Sequence, residues 1–111
     1  MKRALIGLAV LVAGPAAAQD LNDYPTNARA DYVFVCMATN GQTREMLDKC
    51  SCAIDQIASV LSYEDYGKAE TVLRMQQATG GRNTIFRGMP VMDAMVADLR
   101  RAEAEAEILC F

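Results

Sequence analysis

The sequence predicts an all-α fold, a small bundle of about four helices stapled by two disulfides, on three observations. Apolar residues recur at spacings of three and four through four separate stretches. The one β-branched and aromatic run, Tyr32 to Val35, has no second alternating run to pair with as a sheet. Four cysteines follow a segment that reads as an export signal, and such chains oxidise their thiols in pairs.

That segment is "MKRALIGLAVLVAGPAAAQD". Lys2 and Arg3 precede an apolar run from Ala4 to Ala13, and Gly14 and Pro15 lead into Ala16, Ala17 and Ala18. The run is too short to cross a bilayer of ~30 Å, which takes about 20 residues, and the small-residue ending suits a signal cleavage enzyme. The expected cut falls after Ala18, so residues 1–18 are the signal peptide and residues 19–111 the single mature domain. Losing Lys2 and Arg3 shifts the net charge from −3 to about −5. That balance speaks against general binding to nucleic acid or to anionic membranes, both of which call for a basic face. A mature chain of 93 residues buries only about two-thirds of its unfolded surface, so covalent bracing is expected.

The elements follow in order. "QDLNDYPTN" holds Pro25 and several turn formers and reads as an extended lead-in; its Asp20, Asn22 and Asp23 form a weak acidic cluster expected to be mobile. The first helix is expected over about 27–39, capped by Thr26 or Asn27 and stopped by Asn40-Gly41 in a left-handed conformation. The second covers about 43–61, with Leu47, Cys50, Ile54, Ile57 and Leu61 on one face and Asp48, Asp55 and Ser59 on the other. The third opens at "SYED", where the Ser62 hydroxyl accepts from the amide of Asp65 in a capping box, and ends before Gly80-Gly81. "GGRNTIFRGMP" reads as a loop closed by Pro90. From Val91 a fourth helix carries Met92, Met95, Val96, Leu99 and Ala106 along one stripe and ends in an alanine- and glutamate-rich tail of high helix propensity.

"KCSC", residues 49–52, has the look of a redox or thiolate-metal motif, with Lys49 beside Cys50 to favour a thiolate. Helical phase argues otherwise. At about 100° per residue Cys52 points some 200° away from Cys50, so the two reach different partners, Cys36 and Cys110. Cys50 and Cys110 both fall on inward stripes, which favours Cys50–Cys110 with Cys36–Cys52. The other cross-pairing, Cys36–Cys50 with Cys52–Cys110, gains if the second helix starts later than Thr43 or the tail frays. Either scheme ties the last helix to the first two, at ~3 kcal/mol for the shorter loop and ~4 for the longer.

The chain has no histidine, which removes the usual base near neutral pH, the Ser-His and Cys-His pairs and the commonest zinc ligand. No catalytic constellation appears, so no enzyme and no cofactor are expected. Met89, Met92 and Met95 recur every third residue, as thioethers that trap copper(I) do, but Met92 and Met95 also fit the core stripe. Glu64, Asp65 and Glu70, and Glu103, Glu105 and Glu107, are oxygen donors for a hard cation that read equally as solvated faces or caps. Tyr63, Tyr66, Arg82, Phe86 and Arg87 are the candidate partner surface, arginine and aromatics being the residue types that anchor interfaces.

"YPTNARADYVFVCM", "KCSCAIDQIA" and "YEDY" followed by "FRG" resemble a family of small secreted helical proteins of methylotrophic and related proteobacteria. Members of that family accompany periplasmic alcohol-oxidation genes, including quinoprotein and lanthanide-linked systems. The resemblance implies a non-enzymatic periplasmic accessory or binding protein with a protein partner and, with no named ligands, a lanthanide link. The alternative expectation is a thiol-disulfide or metal handler, for copper(I) or a lanthanide, acting through Cys50 and Cys52.

Overall fold

A computed structural model describes residues 22–78 and 88–111. They form four helices: α1 (Thr26–Asn40), α2 (Arg44–Val60), α3 (Tyr63–Gln77) and α4 (Pro90–Cys110). The run Tyr32–Val35 lies within α1 as helix. α4 packs against both α2 and α3, and α1 packs against α2. The leader and the segment 79–87 lie outside the described residues, so the signal peptide, Gly80-Gly81, Arg82, Phe86 and Arg87 do too.

Local chemistry sets the boundaries. The Thr43 hydroxyl accepts from the Met46 amide at 3.1 Å, and the Ser62 hydroxyl accepts from the Asp65 amide at 3.2 Å, each satisfying one orphan donor of a first turn. α1 departs from expectation. Pro25 occupies its cap position with no side-chain bond, while Asn27 accepts only from the adjacent Ala28 amide. Between α1 and α2, Gly41 takes φ +122° with ψ 148°, a positive-φ but extended conformation and not a left-handed helical one, and donates to the Met37 carbonyl at 2.8 Å. A residue with a Cβ would be strained there. Pro90 begins α4, where its missing N–H breaks no helical bond.

The core is small. Ala53, Ile54 and Ile57 of α2, Tyr66 and Ala69 of α3, and Leu99, Ala102 and Ala106 of α4 are buried together. Four of these eight are alanines, which let three helices approach closely. α1 contributes no buried residue, and only half-buried side chains such as Tyr32 and Val33 pack against the cluster.

The lead-in is not a loose leader. Tyr24 is 4 % exposed and belongs to the core; its hydroxyl donates to the Leu61 carbonyl at 2.9 Å. Asn22 accepts from the Tyr24 amide, and the Asp23 carboxylate accepts from the Tyr63 amide at 3.1 Å, at the start of α3. Asp23 and the Tyr24 hydroxyl thus bond the α2–α3 junction, and the aromatic ring supplies the burial that holds them there.

Both disulfides are closed, and the favoured pairing is corrected. Cys36 joins Cys50, and Cys52 joins Cys110, with Cα–Cα distances of 5.9 and 5.8 Å. Cys50 faces inward as expected and is wholly buried. However, α1 and α2 form an antiparallel hairpin about Gly41, and Cys36 and Cys50 stand at similar distances from that turn. Cys36 and Cys50 therefore meet across the α1–α2 pair, and Cys50 bonds α1 and not α4. Cys52, on the other flank, is left for Cys110. Phase separated the two faces of α2, but which neighbour covers each face is a property of the hairpin.

Candidate functional site

Three features of this frame carry possible function: the disulfides, a methionine-lined groove and a polar cleft. At the "KCSC" segment no thiol is left, because all four cysteines are bonded. Lys49, expected to favour a thiolate, instead pairs with Glu45 at 2.8 Å, one turn back, and lies 6.0 Å from the Phe111 ring centroid. That pairing holds the Glu45 carboxyl below its usual range, first by the hydrogen bond and then by the lysine's charge.

The expected partner surface is split. Tyr63 is 36 % exposed at the start of α3, whereas Tyr66 is 9 % exposed and part of the core, so it is not a surface anchor. The two rings and Tyr24 pack together, with Tyr24 5.3 Å from Tyr63 and 5.1 Å from Tyr66 between centroids. Sequence spacing alone misplaced Tyr66 because Tyr24, its covering partner, lies 42 positions earlier in the lead-in. Arg82, Phe86 and Arg87 fall outside the described residues.

The charged helix faces are mostly paired along the helix. Lys68 bonds Glu64 at 2.7 Å, Arg74 lies 3.5 Å from Glu70, and Arg100 bonds Glu103 at 2.9 Å. Lys68 is raised and Glu64 lowered by their mutual bond. Exposed pairs of this kind are screened by water and add little to stability. Among the described residues no three Cys, Asp or Glu side chains are grouped to hold a metal ion.

The methionines converge more than the sequence suggested. Met89, Met92 and Met95 line an open groove between α3 and α4, and Met75 of α3 faces them across it. Val72 and Val91 complete an almost wholly apolar lining around about 610 Å³. Met75, Met89 and Val91 are exposed, at 40, 42 and 69 %. Met95 also touches the core, so its two readings, packing and surface display, are both realised. Four of the chain's seven methionines thus share one groove. Met75 carried no signal in the sequence, since its partners lie on the next helix.

On a different flank of α3, a cleft separates α1 from α3 and α4. Asp31 and Tyr32 of α1 face Tyr66, Glu70 and Glu103 across it. Burial raises the Tyr32 phenol above its usual value, and Glu103, Glu107 and Glu70 add to the shift. Tyr66 is likewise raised, by burial first and then by Glu70.

No family model, no curated protein and no solved structure matches this chain. No helix among the described residues is long and apolar enough to cross a membrane. Two closed disulfides fit an oxidising, extracytoplasmic compartment.

Proposed function

We propose that this chain is a non-enzymatic accessory protein of the periplasm, which binds an apolar segment of a protein partner in the groove between α3 and α4. The observation that carries the reading is the groove itself, where Met75, Met89, Met92, Met95 and Val91 line an apolar opening over the buried Val72, on a frame braced by disulfides. Exposed apolar surface of that continuity marks interaction sites. Unbranched thioethers repack around differently shaped side chains, which suits a docking surface more than a fixed core. The signal-like leader and the resemblance to secreted proteins that accompany alcohol-oxidation systems support the compartment and the accessory role.

The test compares mature wild-type protein with Val91→Asp, a change at a 69 % exposed position. Native affinity isolation from periplasmic extract should recover a discrete partner with wild type and lose it with the variant, at an unchanged melting temperature. Recovery of the same proteins by both would overturn the reading.

One observation favours a second reading, a soft-metal site. Met75 joins Met89, Met92 and Met95, and thioether sulfurs select copper(I). Titration with silver(I), a redox-inert substitute, should then saturate at one ion per chain and be abolished by Met75→Leu with Met92→Leu. Equal silver uptake by that variant removes it. Thiol exchange has less support, since all four cysteines are bonded and Cys50 is wholly buried. Two fast-reacting thiols on native protein would restore it.

A further inference from the structure

The run Tyr32–Ala38 is seven apolar residues without a break, all of them within α1. Two helical turns of that kind send apolar side chains in every direction round the axis, and a helix apolar all round is normally covered all round. α1 is not. Tyr32 and Val33 pack against the core, while Phe34 is 73 % and Val35 54 % exposed.

Beside Phe34 the α1–α2 pair leaves an open groove of about 550 Å³, with Val33, Met37, Leu47 and Ile54 as its apolar lining. An aromatic knob and an apolar hollow thus lie on one surface. Two charges of opposite sign line the same groove, Arg29 from α1 and Asp55 from α2. Neither side chain makes a hydrogen bond or ion pair among the described residues, and the Arg29 Nε is buried without an acceptor. The sequence explains why, since neither residue has an opposite charge three or four positions away on its own helix. Lys49, Lys68, Arg74, Arg100 and Arg101, by contrast, each pair with a carboxylate on the same helix.

We infer that the α1–α2 face binds a second copy of this chain, forming a two-fold symmetric dimer. In an isologous contact residue i meets residue j of the other copy and j meets i, so a surface that carries one cation, one anion, a knob and a hollow complements itself. A two-fold axis along the groove sets Arg29 of each copy against Asp55 of the other, and Phe34 of each into the other's groove. Both unpaired charges are then answered at once, by charge-assisted bonds. A partner carrying only an acidic group answers Arg29 and is repelled by Asp55.

The experiment is sedimentation equilibrium of the mature, disulfide-intact chain at concentrations up to about 1 mM, the weak end of measurable association. A monomer–dimer equilibrium is expected. Phe34→Asp should leave only monomer with the melting temperature held, because the position is exposed and aromatic anchors dominate such contacts. Arg29→Glu and Asp55→Arg, each of which sets like charges face to face, should each weaken the dimer about tenfold or more. The two changes combined restore opposite charges and should recover most of the lost affinity. Should Phe34→Asp lower the melting temperature, the charge exchange decides alone. Monomer at every concentration, a dimer that survives Phe34→Asp, or a combined variant no tighter than its single parents would each overturn the inference. Val91→Asp, in the methionine groove, should leave the dimer unchanged, and a dimer lost in that variant would place the contact on the other face and overturn it too.

Discussion

From Leu99 onward, α4 buries Leu99, Ala102 and Ala106 among residues of α2 and α3, whereas over Pro90–Val96 the same helix buries nothing completely and lines an open groove. Both halves keep an apolar stripe at helical spacing. What differs is side-chain size and neighbour. Alanines at 102 and 106 meet Ala53 and Ala69, so the backbones close up and Leu99 fills the remaining space. The methionines at 92 and 95 meet Val72 and Met75 across a gap, and their flexible chains line it without filling it. Apolar periodicity therefore specifies a face; residue size determines whether that face becomes core or surface.

The covalent end should matter most. Replacing Cys52 and Cys110 together by alanine is expected to cost about 4 kcal/mol, and Cys36 with Cys50 about 3, from the chain-entropy model for sequence separations of 58 and 14. Denaturant melts give the order, and equal losses would show that loop length is not the governing term. Leu99→Ala should follow at about 3 kcal/mol, while Met92→Ala costs well under half of that because its side chain is only partly buried and lines the open groove. Similar losses at the two positions would break the comparison between the halves of α4. Ala106→Leu should cost about 2 kcal/mol by overpacking the close helix contact. Val91→Asp should stay within ~0.5 kcal/mol, as exposed substitutions do.

Tyrosine ionisation sharpens the contrast from another side. Burial raises the phenols of Tyr24, Tyr32 and Tyr66 in the folded chain. Above pH ~10 the unfolded chain gives up these protons first and the folded chain retains them, so stability falls as pH rises further and is insensitive to these groups below that. Tyr24→Phe should cost about 1 kcal/mol at neutral pH, through the lost bond to Leu61, and should make the alkaline decline shallower. A decline of unchanged slope in chemical melts at pH 8, 10 and 11 would remove Tyr24 as a cause.

Much of the fold was legible because it is written in local terms. Ser62 caps α3 with a short side-chain acceptor three residues ahead of the orphan Asp65 amide. Cys50, Ile54 and Ile57 repeat on one face, and all three are buried. The candidate sites were less legible. Tyr66 carries no sign of burial in its own helix because its cover, Tyr24, comes from the lead-in, and Met75 gives no signal because its three methionine partners lie at the start of α4 and just before it. The cleft is assembled from α1, α3 and α4, with Asp31 and Glu103 separated by 72 positions. Spacing within one helix carries no information about such a pair.

The sequence by itself determined four helices, the Ser62 cap of α3, an even set of cysteines and the fact that Cys50 and Cys52 point to opposite flanks of α2. Those follow from a fixed rotation per residue and from hydrogen bonds spanning a few positions. Only the tertiary structure decided that Cys50 takes Cys36, that Tyr24 belongs to the core, and that four methionines share a groove while Tyr66 is covered by Tyr24. Each of these depends on which helix covers which face. That choice is made by the α1–α2 turn and by the small residues that let α2, α3 and α4 close on one another, quantities that no single helix contains.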